Sequence, residues 1–280
     1  MRRIPLIVQE VLNEYIGLLN ERIPNTMEGL YIHGSIALDA YVNNSSDIDF
    51  ITITNRRLTE EEVAILSDIH ETIASKYKKP EMDGVYILWE DLGGLYASAN
   101  ENNINYPYYN SGKMNLGAYF NFNPITWSQL KKNGITLIGP EPATFRFEIK
   151  PEQLTSYVLE NMNTYWAGRV QWIENSVEEI LNIPTEDIEL EIEWSILGLL
   201  RQYYTLKEHD IISKRGAGEY GLLHIPKEWH NIIKEAINIR KGVKGEIFNS
   251  DEERVDAALK FSKYLISFCN STFSHNKITS

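Results

Sequence analysis

The sequence predicts an α+β chain in two parts: residues 1–150 carry a small mixed sheet, and residues 151–280 form an all-helical bundle. Three observations lead there. Before residue 140, short apolar runs alternate with helically periodic stretches. Gly139-Pro140-Glu141-Pro142 then interrupts any regular element. Beyond residue 150 the periodic segments are long and no convincing strand separates them. A chain of 280 residues is long enough for two ordinary domains.

The elements follow in order. Val8, Val11, Leu12, Tyr15, Leu18 and Leu19 recur at helical spacing, and Pro24-Asn25 ends that helix. Gly29 to Ile32 reads as a strand, His33-Gly34-Ser35 as a tight turn, and Ile36 to Val42 as a short apolar helix. After the loop Asn43 to Ser46, residues Asp47 to Thr54 alternate as a second strand. Thr59 and Glu62 have the spacing of a capping box, predicting a helix to about Lys78. Val85 to Trp89 is a third strand. Residues 90–115, rich in Gly, Asn, Tyr and Ser, read as a long loop or lid. Ile135 to Ile138 is a last edge strand. Helices are predicted near 151–180, 186–208, 228–241 and 251–273; the last carries the stripe Val255, Ala258, Leu259, Phe261, Leu265 and Phe268.

Charge narrows the function classes. With 27 Lys plus Arg against 39 Asp plus Glu, the chain carries a net charge of -12. Duplex nucleic acid is disfavoured as a partner, because binding it needs clustered cations. A cationic small molecule suits an acidic cleft, although acidity also serves solubility alone. No apolar run approaches the roughly 18 to 20 residues of a membrane span. The start Met1-Arg2-Arg3 leads into an amphipathic segment with Glu10 and Glu14, unlike a signal peptide. A single cysteine, Cys269, excludes an internal disulfide, so cytoplasmic residence is expected.

The chemistry is concentrated in Leu30-Tyr31-Ile32-His33-Gly34-Ser35, eleven further residues, and Asp47-Ile48-Asp49-Phe50. Gly34 permits a sharp bend and close approach to a ligand. Ser35 offers a hydroxyl where a helix begins, and helix-start N–H groups attract phosphate. Asp47 and Asp49, two apart in a strand, point to one face. Magnesium takes oxygen ligands, usually one or two carboxylates plus phosphate oxygens. Asp83, just before the third strand, adds a carboxylate that can bind a second metal, accept a proton from an attacking hydroxyl, or do both.

This signature resembles that of the nucleotidyltransferase (DNA polymerase beta-like) superfamily. The layout over most of the chain is similar to the aminoglycoside adenylyltransferases that modify streptomycin and spectinomycin. The resemblance implies an N-terminal nucleotidyltransferase domain, with ATP and two magnesium ions bound in the cleft before the helical domain. AMP would pass to a hydroxyl of a small cationic acceptor, with pyrophosphate released. It assigns triphosphate binding to Gly34 and Ser35, metal binding to Asp47, Asp49 and Asp83, and the catalytic base to Asp83, where relatives usually carry Glu. The run from Trp194 to Tyr204, followed by Ile212-Ser213-Lys214, matches the relatives' Arg and Lys that reach the triphosphate, here Arg201 and Lys214. A pairing of Arg201 with a Glu of its own helix is the structural alternative.

The chain departs from that pattern in the acceptor region. Leu116-Gly117-Ala118-Tyr119 puts Ala118 where relatives carry a substrate-binding Glu, and Arg240 replaces an aromatic near the nucleotide. Asp187 and Glu191 share a helix face and can bind an amine; a helix start that favours negative charge accounts for them equally well. Other acceptors are therefore open: a metabolite, a protein or an RNA end, or a nucleotide-binding sensor without catalysis. His33 can orient phosphate or simply fill its turn. His224, His230 and His275 lack zinc-ligand spacing. Cys269, Trp166 and Trp172 read as packing residues, and Gly216-Ala217-Gly218 as a possible phosphate-facing loop too short for a fingerprint.

Overall fold

Val8, Val11, Leu12, Tyr15 and Leu19 lie buried along α1 (Leu6–Arg22), which forms because its apolar residues recur on one face. The computed structural model describes residues 4–244 and 247–274; Met1-Arg2-Arg3 and His275, read above, lie outside the described residues. The chain divides into two compact units, Met1–Ile149 and Lys150–Ser280.

The first unit runs α1, β1 (Met27–Ile32), α2 (Gly34–Ala37), β2 (Ile48–Thr54), α3 (Glu60–Lys76), β3 (Met82–Ile87), α4 (Tyr96–Glu101), β4 (Tyr106–Asn110), β5 (Lys113–Gly117), α5 (Pro124–Asn133) and β6 (Ile135–Ile138). Its six strands form one sheet in the order β5-β4-β3-β2-β1-β6. Among the described residues only β2 and β3 pair in parallel, so the sheet is mixed as the sequence predicts. Strand alternation sends Ile48 and Phe50 into a core with α1 and α3. It sends Ile51, Ile53, Val85 and Ile87 to the other face, against Trp127 and Leu130 of α5. The capping box holds α3: Thr59 Oγ1 accepts from the Glu62 N–H at 3.3 Å, and the Glu62 carboxylate accepts from the Thr59 N–H at 2.9 Å.

Four differences from the sequence reading have local causes. The helix placed over Ile36 to Val42 is the four-residue α2, because the left-handed residue Asp39 (φ 54°) ends it. β3 begins at Met82, so Asp83 stands inside the strand rather than before it. Residues 90–115 hold α4 and most of the hairpin β4–β5, not one long loop. Ser111 and Gly112 both have positive φ, 51° and 74°, giving the two-residue turn that joins twisted antiparallel strands. Finally α5, unread in the sequence, starts at Asn123, whose side chain accepts from the Thr126 N–H at 3.0 Å ahead of Pro124.

The second unit consists of α6 (Pro151–Asn161), α7 (Ala167–Asn175), α8 (Val177–Ile180), α9 (Thr185–Glu208), α10 (Lys214–His224), α11 (His230–Arg240) and α12 (Asp251–Phe273), with a wide π turn over Met162–Trp166. α9 is central and packs against α6, α10, α11 and α12. Gly216-Ala217-Gly218 is part of α10 and not a phosphate-facing loop: Ala217 and Gly218 are buried, with Gly218 close against Ile237. Cys269 and Trp166 are core residues as expected, whereas Trp172 is half exposed beneath the Arg169 guanidinium. Among the described residues no helix is long and apolar enough to cross a membrane.

Candidate active site

The site begins where β1 turns into α2. Gly34 has φ 64°, and a Cβ there would lie 1.7 Å from Asp49 Oδ2. The bend therefore requires glycine twice over, for its left-handed conformation and for the carboxylate pressed against it. The His33 N–H donates to the Asp49 backbone carbonyl at 3.0 Å, locking the bend to β2. Ser35 follows, half-buried, in the first turn of α2.

Asp49 and Asp83 are direct partners in the parallel β2–β3 register. Their side chains leave the same face of the sheet, the face of α5. Asp83 is held from two sides: Asn110 Nδ2, at the tip of the β4–β5 hairpin, donates to one oxygen, and Tyr119 Oη donates to the other at 3.2 Å. Burial pushes the Asp83 carboxyl up to about 6; the Asp49 charge adds to this, while the bonds from Asn110 and Tyr119 and the nearby His33 oppose it. A carboxylate so placed changes protonation near neutrality, as a general base must.

His33 and Gln129 close the site from beneath. His33 is buried with Nε2 unpartnered, and burial pushes its imidazole down to about 4 against the pull of Asp83 and a hydrogen bond with Gln129. It is neutral at pH 7. Gln129, buried on α5, grips both polar groups of Gly34: its Oε1 accepts from the Gly34 N–H at 3.3 Å and its Nε2 donates to the Gly34 carbonyl at 3.1 Å. The Gly34 N–H is thus engaged within the protein. The sequence reading expected both Gly34 and Ser35 to meet phosphate. Replacing Gln129 with Ala should lower thermal stability by about 1–3 kcal/mol, the cost of two abandoned buried groups, measurable by thermal unfolding.

The pair Asp49–Asp83 fits a hard divalent cation. Two oxygen donors lie side by side, and their mutual repulsion, visible in the Asp83 shift, is what a cation relieves. Asp47 stands differently from the expectation. It precedes β2 and is exposed, and its charge acts on Tyr41 and Lys79. Among the described residues no three His, Cys, Asp or Glu side chains are grouped to hold one ion. Asp49 and Asp83 are brought together by strand register, whereas Asp47 lies before the strand, where alternation does not fix its direction.

The helical unit gathers cations around one carboxylate. Glu193 of α9 is buried; Lys214, first residue of α10, reaches it at 3.3 Å, and Arg240, last residue of α11, at 3.6 Å. Arg201 Nε donates to the Ile212 carbonyl at 3.1 Å, which ties α9 to the chain just ahead of Lys214. Burial pulls the Lys214 ammonium below its ordinary value; Glu193 raises it, and Arg240 and Arg201 depress it further. Arg201 and Lys214, paired in the sequence reading, are thus electrostatic neighbours.

The acidic acceptor candidates separate. Asp187 is exposed in the first turn of α9. Glu191 forms a two-pronged ion pair with Arg169, whose guanidinium stacks on Trp172 and Trp194 at 4.5 and 5.5 Å. The sequence placed Glu191 on the right face but could not show that Arg169, 22 residues earlier, neutralises it.

Known proteins resemble this chain. Residues 165–264 match the family model described as the aminoglycoside adenylyltransferase C-terminal domain. An aminoglycoside (3'') (9) adenylyltransferase of Escherichia coli is 21% identical over 271 residues, covering 92% of this chain and 93% of the relative. A spectinomycin 9-adenylyltransferase of Staphylococcus aureus is 23% identical over 288 residues, covering 88% and 96%. The crystal structure of spectinomycin adenyltransferase AAD(9) from Enterococcus faecialis, with ATP and spectinomycin, superposes with a TM-score of 0.63 at 18% identity, covering 92% of this chain and 99% of that one. It has the same fold. Over its C-terminal part the chain matches the aminoglycoside adenylyltransferase domain model, and over most of its length it is similar to aminoglycoside and spectinomycin adenylyltransferases.

Proposed function

We propose that the chain transfers AMP from ATP to a hydroxyl of a small, cationic, aminoglycoside-like acceptor and releases pyrophosphate. The observation that carries this reading is the registered pair Asp49–Asp83 beside the Gly34 bend. The relatives are named for adenylyl transfer, and a neighbour of the same fold holds ATP and spectinomycin, which favours this acceptor class over a metabolite, a protein or an RNA end.

In this reading Asp83 takes the proton of the acceptor hydroxyl. The freed oxygen attacks the α-phosphorus, the bond from that phosphorus to the β-phosphate oxygen breaks, and pyrophosphate leaves. Asn110 and Tyr119 fix the Asp83 oxygens during the step. Ser35 with its backbone, Arg201 and Lys214 hold the triphosphate, so much of the rate comes from positioning and charge stabilisation. Magnesium, as two ions, would be held by Asp49 and Asp83 with Asp47 completing the set, and supplies neutralisation of phosphate charge. Asp187 and Glu191 are the acidic groups for an acceptor amine, Glu191 together with its partner Arg169. Cytoplasmic residence goes with this reading, since ATP is the co-substrate.

The test is incubation of the protein with ATP, magnesium and a panel including streptomycin and spectinomycin, read by mass for an added adenylyl group. One acceptor should gain it. Asp49→Asn should slow that transfer by about a thousandfold. Full activity in this variant refutes the mechanism.

A further inference from the structure

We propose that Glu193 is a positioning residue that seats Lys214 and Arg240 side by side as a two-cation receiver for the nucleotide's phosphates. The inference rests on the adenylyltransfer reading and adds two residues to it. Glu193 is buried in the middle of α9, eight residues before Arg201. A carboxylate there is costly unless cations compensate it. The compensation comes from the first residue of α10 and the last residue of α11, helices that each pack against α9. One carboxylate thus fixes three helices and two positive groups at a single point.

The separations suit an exchangeable arrangement. Lys214 stands 3.3 Å from both Glu193 oxygens, and Arg240 stands 3.6 Å from Oε1, an ion-pair distance longer than a hydrogen bond. That oxygen makes no hydrogen bond although it is buried. Lys214 retains a quarter of its side-chain surface exposed, so its ammonium can meet a phosphate while still touching Glu193. Arg201 lies near enough to lower the Lys214 ammonium and extends the positive surface along α9. An arginine in this cluster adds a planar, permanently charged donor suited to phosphate oxygens.

Glu193 also keeps Lys214 charged. Burial, Arg240 and Arg201 all favour the neutral amine, and Glu193 alone among the groups acting on Lys214 favours the ammonium. Removing its charge therefore weakens phosphate binding in two ways: the cations lose their seat, and Lys214 sheds its proton at lower pH.

This distinguishes positioning from plain electrostatics. If Glu193 were only a negative charge near an anion site, deleting it would tighten anion binding. The test is calorimetric titration of the full chain with inorganic tripolyphosphate, alongside pyrophosphate release from ATP and magnesium. Glu193→Gln and Arg240→Met should each weaken tripolyphosphate binding by about tenfold or more. Glu193→Asp should recover part of the loss. In Glu193→Gln the KM for ATP should climb at lower pH than in the parent, with kcat less affected. Thermal unfolding identifies variants that retain the fold, and Glu193→Asp and Arg240→Met keep the question open to test should Glu193→Gln not fold. Tripolyphosphate affinity at or above the parent's in a folded Glu193→Gln or Arg240→Met overturns the proposal, as does a parent chain that does not bind tripolyphosphate. Loss of pyrophosphate release in the parent with every acceptor instead refutes the adenylyltransfer reading.

Discussion

Asp83→Asn should lower pyrophosphate release by about a thousandfold and, at pH 7.5, make the ligand-free chain more stable. The first effect follows from removing the general base, a contribution of roughly 10²- to 10⁴-fold. The second follows from linkage. Burial first, and then Asp49, raise the folded carboxyl from 3.8 to about 6. The folded state therefore binds the proton more tightly than the unfolded chain. That preference stabilises the protein below the unfolded pKa and is lost as pH rises through about 6. At pH 7.5 the ionised, half-buried Asp83 costs about 2 kcal/mol relative to its ordinary solvation, discounted for its partial exposure. An amide carries no such cost, and its oxygen still accepts from Tyr119 or Asn110. Melting temperatures measured without magnesium should favour the variant at pH 7.5, with the difference shrinking toward pH 4. A parent as stable as the variant at pH 7.5 contradicts this account. By the same sign, transfer by the parent should fall as pH drops below about 6, because the base must be ionised.

The sequence made some of this site legible and concealed the rest for physical reasons. Gly34 and Asp49 could be read because their constraints are local: a glycine at a bend, and a carboxylate at a fixed position in an alternating strand. Asp83 could be read as a third acid, but its register opposite Asp49 belongs to β2–β3 pairing. Gln129, Asn110 and Tyr119 were missed. They reach the site from elements 95, 27 and 36 residues from their partners, and nothing near them in sequence marks a functional side chain. A better reading of turns would have recovered part of this. Ser111-Gly112 after the tyrosine-rich stretch Tyr106 to Tyr109 signals a hairpin, and its recognition would have put Asn110 at a strand end. In the helical part, the family resemblance paired Arg201 with Lys214, but Glu193 stood hidden in an acidic run. Of the acids in that run, only burial separates Glu193 from the solvated Glu186 and Asp187.

Gly34→Ala, the smallest change available at the bend, should cost activity heavily although it removes no functional group. An alanine at φ 64° bears about 1 kcal/mol of backbone strain. The added methyl meets more than that: Asp49 Oδ2 would be 1.7 Å away, Cγ 2.5 Å and Cβ 2.9 Å. Rotating the carboxylate relieves the first two contacts and leaves the third, so the bend or β2 must also shift. The shift is opposed by the His33 bond to the Asp49 carbonyl and by the Gln129 grip on Gly34. Transfer should drop by about a hundredfold or more, since a displacement near 1 Å at reacting groups costs that much. Thermal unfolding should report a loss of about 1–3 kcal/mol, as overpacking does in a filled site. The mechanism predicts more than a loss, because the methyl acts through Asp49. In an Asp49→Asn background the same substitution should reduce residual activity far less than it does in the parent. Two effects that multiplied independently would show that Gly34 serves the phosphates by a route separate from Asp49, and the bend would then have to be reinterpreted as a phosphate cradle alone.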